Sequence, residues 1–185
     1  MKDGATKGFE QAYNAQAAVD STAQIIVATV VTQDANDKKQ LLPMMGKVEE
    51  NIGKLPEKIS ADAGYFSEAN LTDKRLSGAD LYIPPDRQKH GQKKEETANI
   101  EETADECVKA RIREKLKTPE GKEVYKMRKA IVEPVFGQIK EERGFRRFSF
   151  RGLTNVVAEW DLICLTHNIL KLFRNGWRPA PALAT

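Results

Sequence analysis

The residues best suited to chemistry are two acids that lie far apart in the chain. Asp62 follows a short apolar run within residues 59–66, which read ISADAGYF. Glu133 stands directly before a proline, with six residues between it and Lys140. A carboxylate lifted from the end of a strand by a glycine turn can bind a hard cation such as Mg²⁺, which prefers oxygen ligands. The two acids therefore favour metal-dependent cleavage of nucleic acid.

Length, composition and net charge indicate the class of protein but do not by themselves indicate nucleic-acid binding. The chain has 185 residues, enough for one ordinary domain with a core, and its 40% hydrophobic and 31% charged residues are typical of a soluble globular protein. The net charge of +3 is too small to indicate nucleic-acid binding by itself. Cys107 and Cys164 lack metal-type spacing, and the first thirty residues lack a signal peptide or membrane span. We therefore expect a cytoplasmic protein with no membrane partner.

The elements that position the acids can be predicted from periodicity and capping residues. A hairpin is expected from the β-prone runs at 9–19 and 24–32, and short strands are expected at 58–61 and 79–83. Asn36 is predicted to cap a helix through Val48 whose regular part begins close to Pro43, and Ser67 is predicted to open another helix through Leu76. Thr118 and Pro119 start a long helix that carries Glu133.

The remaining segments complete a mixed α/β plan. A polar insertion is expected at about 86–118, partly disordered, with a helix near 101–116. The final helix is expected at about 153–173, where apolar residues recur at helical spacing, and a loose tail at 175–185. The alternation predicts one α/β domain over residues 1–174, with a central sheet and helices on its faces.

Four motifs closely resemble the DDE transposases of bacterial insertion sequences, and they occur in that family's order between about Phe9 and Phe173. They are YNAQAAVD at 13–20, NDK at 36–38, ADAGYFS at 61–67 and EPVFGQIK at 133–140. The resemblance implies a ribonuclease-H-like fold and two divalent ions, Mg²⁺ with Mn²⁺ as a substitute, held by three acids. It implies cleavage and joining of double-stranded DNA at transposon ends and target, with Asp62 and Glu133 as the second and third acids.

The family's pattern around the third acid is imperfect here. Tyr125 and Arg128 keep their mutual spacing, but four residues rather than three separate Arg128 from Glu133. On a regular helix Lys129 lies one turn before Glu133, so either Lys129 or Arg128 takes the basic position. The following proline is expected to kink or restart the helix. The residues expected to contact DNA are Tyr125, Arg128, Lys129, Lys140, Arg143, Arg146 and Arg147.

The first acid is the largest departure from the family. In the resembled proteins it comes from a strand that precedes the hairpin, whereas this chain reaches its hairpin by about residue 9. We therefore expect a truncated catalytic domain that lacks one ligand and cleaves little or no DNA in Mg²⁺. Asp3, Asp20 and Asp37 are the available substitutes, although Asp20 fits a hairpin turn and Asp37 the first turn of a helix.

Plainer interpretations remain open beside these. Asp62 could be a turn former and Glu133 a helix-end acid, and the phenylalanines of residues 140–151 could face DNA or enter the core. His167 fits a packed histidine better than a ligand, and His90 has no partner in view. A structure-specific nuclease of the same fold and a non-catalytic DNA-binding remnant are the alternative functions. A complete enzyme would be expected to form a dimer on DNA and to be associated with the nucleoid.

Overall fold

The computed structural model describes residues 12–86 and 104–177. Within them the chain forms two compact units. The described residues of Met1–Ala35 and Ala130–Thr185 make up the hairpin unit, and those of Asn36–Lys129 make up the Asp62 unit. The predictions for Asp3, His90, residues 87–103 of the polar insertion and the tail beyond residue 177 fall outside the described residues.

The hairpin unit begins with the two predicted antiparallel strands, β1 (Asn14–Val19) and β2 (Ile26–Thr32). The turn between them is fixed by Asp20, whose Oδ2 accepts hydrogen bonds from the backbone N–H groups of Thr22 and Ala23, both at 2.8 Å. Side-chain acceptors of this kind stabilise turns because they satisfy backbone donors locally. The prediction of Asp20 as a hairpin-turn residue is confirmed.

The last helix, which we number α5 (Leu153–Arg174), packs against β2. Its Trp160 is buried and donates from Nε1 to the backbone oxygen of Gln16 in β1, at 3.0 Å. Asn168 pairs with both backbone groups of Ile26, receiving its N–H and donating to its oxygen, each at 2.8 Å. The buried core of this unit comprises Ile26, Val135, Ile139, Trp160, Ile163 and Cys164. Sequence periodicity therefore placed this helix correctly and identified most of its buried face, although Leu153 and Leu170, which the same spacing assigned to that face, are exposed.

The Asp62 unit contains the second ladder and most of the remaining helices. Strands β3 (Lys58–Ser60) and β4 (Asp80–Tyr82) pair in parallel, with Ile59 opposite Leu81. The helices are α1 (Leu41–Ile52), α2 (Glu68–Thr72), α3 (Ala104–Lys117) and α4 (Pro119–Gly137). Helix α4 continues past the end of this unit at Lys129, and a π-helical turn, Gln138–Glu142, follows it. Thr118 caps α4 as expected, since its Oγ1 accepts the N–H of Gly121 at 3.0 Å.

The mixed α/β class is confirmed, but the sheet differs from the expected plan. In the described part of the chain β1 pairs with β2 and β3 pairs with β4, which gives two separate two-stranded sheets rather than one central sheet. Each ladder belongs to a different unit. Local β-propensity identified the strands, but it carries no information about which strands pair.

Two helix boundaries also differ from the predictions. Residues 37–40 form a separate turn in which the Gln40 N–H bonds the Asp37 oxygen at 2.9 Å, so α1 begins at Leu41, close to Pro43 as expected, and its cap is Gln40 rather than Asn36. The helix opened by Ser67 stops at Thr72, because Asp73 is extended and caps a new 3₁₀ turn, Lys74–Leu76. Among the described residues no helix is long and apolar enough to cross a bilayer.

Candidate functional site

Asp62 lies just beyond the end of β3, where the predicted strand delivers it. The ladder reaches Ala61, whose N–H bonds the Tyr82 oxygen at 3.3 Å, and Asp62 then has extended backbone angles before a 3₁₀ turn, Ala63–Tyr65. Its side chain is 60% exposed. A carboxylate held by a strand end and left open to solvent can accept a cation or a positively charged side chain without a large desolvation cost.

Arg128 of α4 supplies such a side chain. Its Nη1 lies 3.0 Å from Asp62 Oδ1, and the arginine side chain is only 14% exposed. The guanidinium carbon also lies 5.3 Å from the centre of the Tyr125 ring, a cation–π distance. Its buried Nε donates no hydrogen bond to any described residue. The sequence predicted Tyr125 and Arg128 as DNA contacts, and the structure places both beside the carboxylate of Asp62.

Gly64 is needed for close packing rather than for an unusual backbone angle. It is absent from the glycines with positive φ among the described residues, so the turn after Asp62 does not need the left-handed backbone that favours glycine. A Cβ added at Gly64 would meet Asp37 Oδ2 at 3.0 Å. The Tyr65 hydroxyl has its pKa raised by burial and by the charges of Asp37 and Asp62. The structure therefore places Asp37, one of the three substitute acids, near the Asp62 turn.

The buried side chain of Asn70 ties this turn to the segment before α1. Its Nδ2 donates to the backbone oxygens of Lys38 and Tyr65, both at 2.7 Å, and the side chain is almost fully enclosed. Its own N–H bonds Ser67 Oγ at 3.2 Å, which confirms Ser67 as the cap of α2. In the sequence Asn70 was recognised only as the third residue after a cap, and nothing indicated its two acceptors, of which Lys38 lies 32 residues away.

Glu133 is exposed on α4 in the hairpin unit. The helix continues through Pro134 to Gly137, so the expected restart at the proline does not occur. Proline removes the N–H that would bond the carbonyl four residues earlier, that of Ala130. Gln24 supplies the missing donor, because its Nε2 lies 2.9 Å from the Ala130 oxygen. This role of Gln24 could not be predicted, because nothing in the neighbouring sequence points to a residue more than a hundred positions away.

The expected DNA contacts differ in how strongly the chain already holds them. Lys129, Lys140 and Arg147 are exposed, and Lys140 Nζ lies 5.3 Å from the Phe136 ring centre. Arg143 instead donates to the Ile163 oxygen at 3.2 Å and to Thr166 Oγ1, which fixes it against α5. Arg146 forms an exposed ion pair with Glu141. Exposed ion pairs contribute little, about 0–1 kcal/mol, so Arg146 can exchange Glu141 for a phosphate more readily than Arg143 can leave α5.

His167 is a packed residue, as the sequence indicated. It is buried, and its Nε2 lies 3.1 Å from the backbone oxygen of Gln24. Burial lowers the pKa of its imidazole below the ordinary 6.5, and the nearby cations Lys171, Arg143 and Arg174 act in the same direction. Burial also raises the pKa of the Cys164 thiol to about 12, which makes that cysteine unreactive near neutral pH.

The carboxylates of Asp62 and Glu133 have the right chemistry for Mg²⁺, because both are exposed and offer hard oxygen donors. Asp62 belongs to the Asp62 unit and Glu133 to the hairpin unit. In residues 12–86 and 104–177 no three acidic, histidine or cysteine side chains are gathered as a complete metal-binding group. The donor chemistry thus fits a divalent cation, and its full ligand set stays a prediction.

Comparison with known proteins identifies the class of protein that carries these features. A family model described as "Transposase DDE domain" matches residues 2–169, a span that includes both Asp62 and Glu133. The same comparisons found no matching curated protein and no matching solved structure. Because the match covers most of the 185 residues, the chain belongs to the transposase DDE domain family.

Proposed function

We propose that this chain is the catalytic domain of a DNA transposase in which Asp62 and Glu133 bind divalent metal for phosphodiester cleavage and strand transfer. The observation that carries the proposal is the family match over residues 2–169, which contains both acids. The exposed position of Asp62 at the end of β3 supports it, since a ligand for metal and DNA must be reachable from solvent. A ribonuclease-H-like arrangement of the complete fold is part of the same proposal.

The metal and the protein have separate tasks in this chemistry. Bound Mg²⁺, or Mn²⁺ in its place, would activate the attacking oxygen and stabilise the leaving one. Asp62 and Glu133 would hold the cation through their carboxylate oxygens. Arg128 balances the charge of Asp62, because its guanidinium lies 3.0 Å from the carboxylate. Released from that carboxylate, the guanidinium would be available to a DNA phosphate.

The DNA backbone would be held by exposed cations. Lys129, Lys140 and Arg147 extend into solvent, and lysine and arginine contacts to phosphate position a duplex without reading its sequence. Arg146 would join them by leaving Glu141, whereas Arg143 supports the surface from its site on α5. We further propose that two copies act together when they bring two transposon ends to one target.

The proposal is tested by assays of binding, nicking and joining with the purified chain. The motifs assign only two carboxylates of the metal site, so we expect weak cleavage in Mg²⁺ and assay plasmid nicking in Mn²⁺. Pre-cleaved DNA ends are supplied in a parallel reaction to detect joined products. We expect duplex binding that weakens with salt, and joined products that disappear in Asp62→Asn and Glu133→Gln. Glu68→Gln is the matched control, because Glu68 is an exposed acid of α2 in the Asp62 unit.

Each alternative function has its own result in these assays. Nicking without joined products from pre-cleaved ends would favour a nuclease. Salt-dependent DNA binding with neither product in Mn²⁺ would favour a non-catalytic DNA-binding protein. Products that persist in both acid variants would overturn the assignment of Asp62 and Glu133.

A further inference from the structure

A small cavity lies beside the C-terminal half of α5, where the π-helical turn meets that helix. Its volume is about 40 Å³, which is room for roughly three water molecules at about 10–15 Å³ each, and therefore for one small polyatomic ion. We call it the α5 cavity. All the polar side chains that line it belong to the hairpin unit, and they are Gln138, Glu142, Arg143, His167, Lys171 and Arg174.

Two of the cations at the α5 cavity are held in place by hydrogen bonds. Arg143 donates from its guanidinium to the Ile163 oxygen at 3.2 Å and to Thr166 Oγ1, both on α5. Lys171 Nζ lies 2.6 Å from Gln24 Oε1. Gln24 has φ of 58°, a left-handed value that a residue other than glycine keeps only where its surroundings hold it. The fold therefore sets the positions of both cations before any ligand arrives.

The positive charge at the α5 cavity is not balanced within it. Arg143, Lys171 and Arg174 form no ion pair with another described residue, and Glu142 is the one acid among the lining side chains. The carbonyl dipole at the end of α5 favours Lys171 and Arg174, but it does not account for Arg143, which follows the π-helical turn. Burial lowers the pKa of the His167 imidazole, and the charges of all three cations lower it further. Three cations thus act on one enclosed space, which concentrates positive potential there and favours an anion.

We propose that the α5 cavity binds one phosphate group, with Arg143, Lys171 and Arg174 as its cationic donors. Hydrogen bonds from arginine and lysine to phosphate oxygens are charge-assisted and therefore stronger than neutral ones. Such a site gives Arg143 a ligand that it can bind without leaving α5. Inorganic phosphate, a nucleoside monophosphate and a phosphate of DNA share this chemistry. The inference does not depend on the proposed metal site at Asp62 and Glu133.

The first test is calorimetric titration of the full chain with inorganic phosphate, compared with sodium chloride at equal ionic strength. We expect saturable binding of phosphate that chloride does not reproduce. Arg174→Gln should weaken it roughly tenfold or more, the effect of losing a hydrogen bond to a charged group, and Arg174→Lys should weaken it less. Glu142→Gln should strengthen it, because the variant removes a negative charge beside the anion. The matched control is Arg151→Gln, since Arg151 is an exposed arginine of the same unit outside the cavity.

A second test follows the His167 imidazole by nuclear magnetic resonance, with its signal identified as the one that His167→Gln removes. Sulfate replaces phosphate here, because its charge stays constant while the histidine titrates. An anion in the cavity offsets the three cations, so saturating sulfate should raise the pKa of His167 towards its ordinary value of 6.5. Arg174→Gln should reduce this effect of sulfate. The same pKa in sulfate and in chloride would contradict an anion at this position.

Competition experiments distinguish the sources of the phosphate group. Displacement of inorganic phosphate by duplex DNA would assign the cavity to a DNA phosphate, and displacement by a nucleoside monophosphate alone would assign it to a free ligand. Either result supports the site. Absence of saturable phosphate binding, or equal binding in wild type and Arg174→Gln, would overturn it and leave Lys171 and Arg174 as residues that stabilise the end of α5. Loss of nicking and joining in the Asp62 variant bears on the proposed function alone.

Discussion

Arg128 Nη1 lies 3.0 Å from Asp62 Oδ1, so the proposed metal ligand already has a cation beside it. The arginine is largely buried and the aspartate is open to solvent, which means that the carboxylate is the partner that can change ligands. A guanidinium at this distance repels a second cation and competes for the same oxygen. On the proposed assignment of Asp62 as a metal ligand, this pair is expected to lower its affinity for metal.

We predict that Arg128→Gln strengthens Mn²⁺ binding. An ion pair with one exposed partner is worth up to about 1 kcal/mol, so affinity should rise by up to about fivefold, measured by calorimetry or electron paramagnetic resonance. Arg75→Gln is the control, because Arg75 pairs with Asp73 at 2.9 Å in the same unit. Unchanged or weaker Mn²⁺ binding in Arg128→Gln would contradict competition at Asp62.

Gln24 supports the helix that carries Glu133. In the wild type, Gln24 Oε1 accepts a hydrogen bond from Lys171 Nζ at 2.6 Å, and Gln24 Nε2 donates one to the Ala130 oxygen. Gln24→Glu keeps the acceptor for Lys171 but removes the donor to Ala130. That carbonyl has no helical partner because of Pro134, so the helix should open locally at a cost of about 0.5–1.5 kcal/mol. Hydrogen exchange of the amides at 135–137 should accelerate. Exchange equal to the wild-type rate would show that the helix passes the proline without this support.

Asn70 maintains the Asp62 turn. Asn70→Ala removes one buried donor from two carbonyl oxygens, and the expected loss of unfolding free energy is about 1–3 kcal/mol in urea. Asn70→Asp should lower the free energy of unfolding further, because its carboxylate cannot donate a hydrogen bond and would repel both carbonyl oxygens. Asn175→Ala is the control, since Asn175 donates to the Lys171 oxygen from an exposed position. A loss below about 0.5 kcal/mol in Asn70→Ala would mean that other contacts hold the turn.

His167 makes the fold sensitive to acid. The unfolded imidazole takes a proton near pH 6.5, whereas the folded one takes it only at lower pH, because burial lowers its pKa. The unfolded state therefore binds more protons in this interval, and stability falls as pH decreases through 6.5 with a slope of at most about 1.4 kcal/mol per pH unit. His167→Gln should flatten the dependence of urea unfolding on pH. A slope shared by wild type and His167→Gln would assign it to other groups.

The sequence predicted best the features that depend on near neighbours. The Asp20 turn, the caps at Ser67 and Thr118 and the buried stripe of α5 are fixed by hydrogen bonds or periodicity within a few residues. The position of Asp62 after a strand was predictable for the same reason, because a short β-prone run precedes it and a glycine turn follows it in the sequence. These predictions succeeded because the physical cause and the signal lie in the same short segment.

Features that join distant segments were not predictable from one sequence. The Arg128 pair with Asp62, the Asn70 bond to Lys38 and the Gln24 bond to Ala130 each link residues far apart in the chain. Polar side chains of these types occur on most surfaces, and only the folded chain shows which distant partner they meet. The pairing of the described strands into two separate ladders could not be predicted for the same reason, because strand pairing depends on residues far apart in the chain.

The most direct test of the central claim is affinity cleavage by Fe²⁺ bound in place of Mg²⁺. With ascorbate and peroxide, bound Fe²⁺ releases hydroxyl radicals that cut nearby backbone, and mass spectrometry locates the cuts. We predict cuts beside both Asp62 and Glu133 that are suppressed by Mg²⁺ and lost in Asp62→Asn and in Glu133→Gln. Cuts at only one of the two acids, or at neither, would contradict a metal shared between them.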